Sequence, residues 1–198
     1  MNLAPGLAVL AGIGLAAACG FRVFVPLLVI SVAGYTGHLE LAPGFAWLAT
    51  LPALVALGTA TVVEVVAYYV PWLDHLLDVL TTPVALCAGA LAMAATVTTL
   101  PPALHWLVIL LGGAGSAGLV QGATVLLRLK STAVSGGLAN PVISTVELFG
   151  AVTTALLALV APLICVVLLA LLCVGIFRVF RRIAFGHLVA GRGVTAER

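Results

Sequence analysis

Glu64 stands inside an apolar run, Thr61-Val62-Val63-Glu64-Val65-Val66-Ala67. A carboxylate surrounded by hydrocarbon is costly unless it is paired or protonated, so an acid in such a place is a candidate carrier of a proton or cation. Asp74 and Asp78 follow, four residues apart and so on one helix face. They repel unless a cation or a basic side chain sits between them. The plainer reading is a wet interfacial loop with Tyr68, Tyr69 and Trp72 as interface aromatics. Along a straight helix Glu64 and Asp78 would lie about 21 Å apart, too far to share an ion. Pro71 between them is expected to break the helix and allow a fold-back.

Arg22 lies in the first long apolar run. A guanidinium there either snorkels or pairs with an acid, and Glu64, Asp74, Asp78 and Glu147 qualify as partners. Such a pair staples two parts of the chain, or it holds an anionic substrate and tunes a carboxylate.

The segment from Arg128 to Glu147 interrupts the apolar pattern with glycines, hydroxyls and the sequence's only lysine, Lys130. In lipid, irregular polar backbone survives only where protein buries it or where it lines a watery cavity. Asn140-Pro141 reads as a helix start, with Asn140 as cap and Pro141 in the first turn. The positive end of that helix and the Ser135-Gly136-Gly137 backbone would face the break, a place that favours anions. Ser144 and Glu147 follow, three apart on one face. The bland alternative is a polar loop leading into the last span.

The elements that position these groups are helices in a bilayer. The chain is 64% hydrophobic and 7% charged, with a mean hydropathy of +1.33. A soluble domain carries about 25% charge. A span needs about 20 apolar residues. The candidate runs are Leu3 to Ala33, Ala46 to Tyr69, Pro83 to Thr99, Ala103 to Leu127 and Leu148 to Phe177. The expected fold is all-α: a polytopic helical membrane domain over 1–183, with five to six membrane segments, broken or re-entrant pieces and a basic tail over 184–198. Gly20-Phe21-Arg22 before Pro26, and Asn140-Pro141 later, hint at a weak inverted repeat of the kind transporters use.

Arg178, Arg181, Arg182, Arg192 and Arg198 place the tail in the cytoplasm by the positive-inside rule, in a multi-pass protein of the inner (plasma) membrane. With five spans, Arg128 and Lys130 would fall on the outer side. Either the span count is even or those charges are site residues. The apolar run Leu7 to Ala18 lacks a basic residue before it and reads as an uncleaved first helix.

Several motifs carry less. Cys19, Cys87, Cys165 and Cys173 sit in apolar runs, form no CxxC pair and read as small core residues. Gly113-Ala114-Gly115-Ser116-Ala117-Gly118 fits a dinucleotide fingerprint, but no acid follows until Glu147 and no soluble βαβ unit surrounds it. Ala114, Gly118 and Gly122, four apart, read instead as a close-packing stripe. His38, His105 and His187 show no metal-ligand spacing, and no G-x-S-x-G supports a serine nucleophile.

Three patches carry a resemblance: Glu64 with Pro71, Asp74, Asp78 and Pro83; Gly136, Asn140-Pro141, Ser144 and Glu147; and Gly20-Phe21-Arg22 with Pro26. In these the chain resembles the bacterial membrane proteins of domain-of-unknown-function family 4126. In that family an Asp-Lys pair precedes the proline, whereas Tyr68 and Tyr69 stand nearest Pro71 here. The resemblance implies a membrane protein and leaves the activity open.

The functional expectation is a small transporter or channel-like permease for an ion or solute. Arg22, Glu64, Asp74, Asp78, Arg128, Asn140, Ser144 and Glu147 would form the substrate or ion site, and a carboxylate alternating between proton and cation is the simplest mechanism. The solute could be a cation, a proton-coupled metabolite or an anion. The alternatives are an intramembrane enzyme on a lipid-like substrate, with Glu64 or Glu147 as base, and a scaffold whose charges are structural staples. The expected partners are the lipid bilayer, a small solute and further copies of the chain. No cofactor is expected, and a net charge of +2 gives no reason to expect nucleic acid.

Overall fold

The structure is a computed structural model that describes residues 4–136 and 138–190, excepting the side chains of 71–76, 78, 176, 177 and 179–190. It is 85% helical, and the described residues contain no strand. The helices in order are α1 (Pro5–Cys19), α2 (Phe24–Tyr35), a 3-10 segment (Pro43–Ala49), α3 (Leu51–Ala67) and α4 (Pro71–Thr96). Then come α5 (Pro102–Leu107), a π-helical turn (Val108–Ala114), α6 (Gly115–Ser135), α7 (Asn140–Val160) and α8 (Pro162–Ala190). Met1–Val166 form one compact unit and Val167–Arg198 a second. Helix α8 extends to Ala190.

Proline chemistry accounts for most of the breaks. A proline in a helix lacks the N–H that would reach the carbonyl four residues back, and its ring crowds that carbonyl. Pro26 does this to Arg22, so α1 and α2 are separate short helices with Arg22 in the turn between them. Pro71 does it to Ala67, the last residue of α3, as the sequence predicts. Two expectations change. Pro83 does not open a helix; α4 runs through it from Pro71. The run Leu148 to Phe177 is not one segment: α7 starts earlier, at Asn140, and Pro162 opens α8. Helix-breaking residues are tolerated inside membrane helices when neighbours satisfy the freed groups, which is why proline alone does not fix every boundary.

Three helical stretches are long and apolar enough to cross a bilayer: Val79–Thr96, Pro102–Ser135 and Asn140–Val160. The 3-10 segment and α3, bent by 68° at their junction, make a fourth if counted as one span. Helices α1 and α2 and the Pro162–Gly175 part of α8 are apolar but shorter. The surface is apolar and charged side chains are buried inside: Leu119 and Phe149 are 70% and 68% exposed, whereas Arg22 and Glu147 are 2% and 4% exposed. Water would not tolerate that arrangement, and a bilayer favours it. The chain is a polytopic helical membrane protein.

Helix α1 lies at the centre. Ala8, Ala11, Leu15, Ala16, Ala17, Ala18 and Cys19 are buried on it, and it packs against α4, α6 and α7. Small residues let the backbones approach. A Cβ on Gly14 would lie 2.6 Å from Ala158 Cβ, and one on Gly20 would collide with the Ala117 carbonyl oxygen. At the start of α6 the closest backbone approach falls one residue away from the expected stripe, on Gly113 and Ala117. Gly113, in the π-helical turn, and Ala117 face Gly89 of α4, where an added Cβ would lie 2.5 Å from Ala117 Cβ. Of the expected stripe, Gly118 also packs on α4, where an added Cβ would lie 2.7 Å from Leu86 Cδ2, while the space beside Gly122 is open. The fingerprint-like glycines are therefore helix-packing residues. Cys19 and Cys165 are buried, Cys87 and Cys173 are exposed, and all four are free thiols.

Candidate functional site

The turn after α1 places Arg22 where α2, α3, α6 and α7 converge. Phe21 packs its ring 3.7 Å from where a Cβ on Gly150 of α7 would stand, holding the turn against that helix. Arg22 Nη2 donates to the Ser144 carbonyl oxygen at 2.9 Å and to the Ser144 hydroxyl. The same nitrogen lies 3.7 Å from Glu147 Oε2. Among the described residues, Glu147 is the ion-pair partner of Arg22.

Glu147 is shared. Arg128 Nε donates to its Oε1 at 3.0 Å, and Arg128 Nη2 donates to its Oε2. This is the two-pronged geometry that makes arginine–carboxylate pairs strong. Arg128 is only 3% exposed. It is turned into the bundle, whereas Lys130, two residues on, is exposed. Arg128 therefore lies in the interior of the bundle.

Tyr68, the residue after α3, carries both guanidiniums. The carbon of the Arg22 guanidinium lies 3.8 Å from its ring centroid and that of Arg128 4.3 Å. The aromatic quadrupole and the Glu147 carboxylate together offset the repulsion between two buried cations. The Tyr68 hydroxyl lies 3.2 Å from Thr81 Oγ1 of α4, which also accepts from Gln121 Nε2 at 3.2 Å. Tyr69 bonds Thr145 of α7 at 2.9 Å.

Glu64 has a different task. Its Oε1 accepts from the Val23 amide at 2.8 Å and its Oε2 from the Phe24 amide at 3.0 Å. These amides open α2, which has no side-chain cap of its own. The first N–H groups of a helix lack intrahelical acceptors and carry the positive end of the helix dipole. Glu64 thus caps α2 from the last turn of α3, and the first amide it accepts from, Val23, is the residue after Arg22.

Asn140 is not the cap expected of it. It is the first residue of α7, and no side-chain hydrogen bond caps that helix. Instead Asn140 Nδ2 donates to Thr132 Oγ1 of α6 at 3.2 Å, and Ser135 Oγ accepts from the Ala139 amide at 3.2 Å. The break after α6 is closed by Gly136 at φ +62°, a left-handed conformation that glycine adopts readily. Arg22, Arg128, Ser144 and Glu147 are thus in one cluster, with Glu64 at its edge and Asn140 bracing the break. The side chains of Asp74 and Asp78 lie outside the described residues.

Sequence reasoning missed Tyr68, Thr81 and Gln121 as parts of this network. Gln121 is the only glutamine in the chain and sits mid-helix in an apolar run, which was a usable signal. A cavity of about 690 Å³ lies elsewhere, between α2 and α7. Leu28, Val29, Val32, Leu156 and Leu159 line it, and no residue of the charged cluster does.

The fold and the cluster together define a helical membrane protein with a buried, internally paired charge network at its helix breaks. The chain belongs to the family described as domain of unknown function DUF4126, whose family model matches residues 9–182, from α1 into α8. No curated protein and no solved structure matches it.

Proposed function

We propose that this protein is a transporter or channel-like permease for an ion or small solute in the inner membrane, with its C-terminal tail in the cytoplasm. The bridge Arg22–Glu147–Arg128 is its switching element. One observation carries this reading: Glu147 is held tightly by Arg128 and loosely, at 3.7 Å, by Arg22. Arg22 and Arg128 come from segments on opposite sides of the chain's breaks, Arg22 between α1 and α2 and Arg128 near the end of α6. A carboxylate that can belong to one guanidinium or bridge both has two discrete arrangements, which a gate requires. Broken helices that bring polar groups to mid-bundle are a recurrent transporter device.

Reconstitution into liposomes tests the proposal. Swelling or shrinkage after a step in solute concentration, followed by light scattering, should relax faster than in empty liposomes for at least one small charged solute. It should fall to the background with Glu147→Gln. No acceleration for any solute would overturn the reading.

A second reading, the static scaffold, is favoured by Glu64, whose two carboxylate oxygens are both committed to the Val23 and Phe24 amides. On that reading Glu147→Gln lowers stability and changes no flux.

A further inference from the structure

Arg22 has donors to spare. A guanidinium carries five N–H bonds. Nη2 serves Ser144 and approaches Glu147, but Nε and Nη1 meet no hydrogen-bond acceptor among the described residues. The side chain is 1% exposed, so bulk water does not take up that capacity. Leaving a buried charged donor without an acceptor is expensive. The Tyr68 ring beneath it stabilises the cation through its face but supplies no acceptor oxygen.

The local charge points the same way. Two guanidiniums, Arg22 and Arg128, share the single carboxylate of Glu147. Glu64 is turned to the α2 amides. Each of the other buried polar groups touching Arg22, the Ser144 carbonyl and hydroxyl, is neutral. Among the described residues Arg22 itself therefore has no close counter-charge on the donors Nε and Nη1, and its ion-pair partner Glu147 stands at 3.7 Å from Nη2.

We propose that Arg22 is the binding site for a small oxyanion, a carboxylate or an inorganic anion of similar size, and that Glu147 is its resident competitor. The incoming anion would take the unused N–H groups of Arg22, and the Ser144 hydroxyl is the adjacent polar contact. Arginine suits this task because its planar fork matches the two oxygens of a carboxylate. The inference rests on the permease reading and names its solute as an anion, against the cation that a carboxylate site would select.

The test is a melting series on the intact chain in neutral detergent. Sodium and ionic strength are held constant while the anion is chloride, nitrate, acetate or phosphate, with phosphatidylglycerol as a separate arm. A ligand that binds only the native state must raise its apparent stability. The expected result is a saturable rise of about 3 °C or more with at least one small oxyanion. Arg22→Lys should weaken that anion at least about tenfold by removing the fork, and Glu147→Gln should tighten it about tenfold by removing the competitor. If Arg22→Lys does not fold, the wild-type and Glu147→Gln series decide. No anion-selective rise in the wild type, a rise with phosphatidylglycerol alone, or loss of the effect in Glu147→Gln overturns the proposal. Anion binding without flux in liposomes would leave the site standing and sink the permease reading. Cation flux without anion binding would do the reverse.

Discussion

Glu147 closes on Arg128 with both carboxylate oxygens, one of them at 3.0 Å from Arg128 Nε, deep in a bundle whose outer surface is hydrocarbon. The pair joins α6 to α7 across the break at Gly136. Removing one partner of a buried pair leaves the other uncompensated, which costs about 3–5 kcal/mol, whereas removing both costs far less. Glu147→Gln should therefore lower stability strongly, and Arg128→Met combined with Glu147→Leu should recover part of the loss. Unfolding by denaturing detergent, run as a double-mutant cycle, should give a coupling of at least about 1 kcal/mol.

Glu64 is assigned to architecture by its two amide bonds to Val23 and Phe24. Glu64→Ala removes both acceptors and should cost about 1–3 kcal/mol. Glu64→Gln keeps one amide oxygen and should cost less. In liposomes Glu64→Gln should retain flux. Complete loss of flux in a variant that melts normally would show that Glu64 is itself the moving carboxylate.

Tyr68 separates two contributions. Tyr68→Phe keeps the stack under Arg22 and Arg128 but loses the hydroxyl contact to Thr81, and should cost about 1 kcal/mol. Tyr68→Ala also removes the ring from two desolvated guanidiniums, worth about 2 kcal/mol or more. Equal melting temperatures for the two variants would show that the ring contributes nothing to holding the cations.

Helix packing at α4 and α6 gives a prediction independent of charge. Gly113→Ala would place a methyl 2.8 Å from the Gly89 carbonyl oxygen and 2.9 Å from Met93 Cβ, and should cost about 1–3 kcal/mol. Gly122→Ala meets open space and should be neutral or slightly stabilising. Thermal melts of the two variants side by side check the register of this interface.

Much of this arrangement is legible in the residues themselves. Composition dictates a membrane bundle, Pro26 and Pro71 mark two breaks, and Arg22 and Glu147 stand out as charges in apolar surroundings. Other features depend on the folded partners. Arg22 had several acids as candidate partners, and the approach of the α1–α2 turn to α7 is what brings Glu147 to it. Glu64 looks like an ion-carrying acid until the start of α2 is seen to lie against it. Asn140 has the residue type of a cap, yet Thr132 draws its amide sideways to α6. The glycines from Gly113 to Gly122 signal close packing, but which of them meet backbone (Gly113), a side chain (Gly118) or open space (Gly122) depends on helix rotation in a uniformly apolar stretch. Pro83 and Pro162 are the same residue type with opposite outcomes, because neighbouring helices decide whether a freed carbonyl is tolerated.

The central claim is that Glu147 switches between two guanidiniums as a solute passes. Solute flux into liposomes holding equal amounts of folded wild-type and Glu147→Gln protein tests it most directly. The account predicts flux of at least one small charged solute through the wild type and none above empty liposomes through the variant. Equal flux through both, or none through either, would contradict it and leave the cluster as a structural staple.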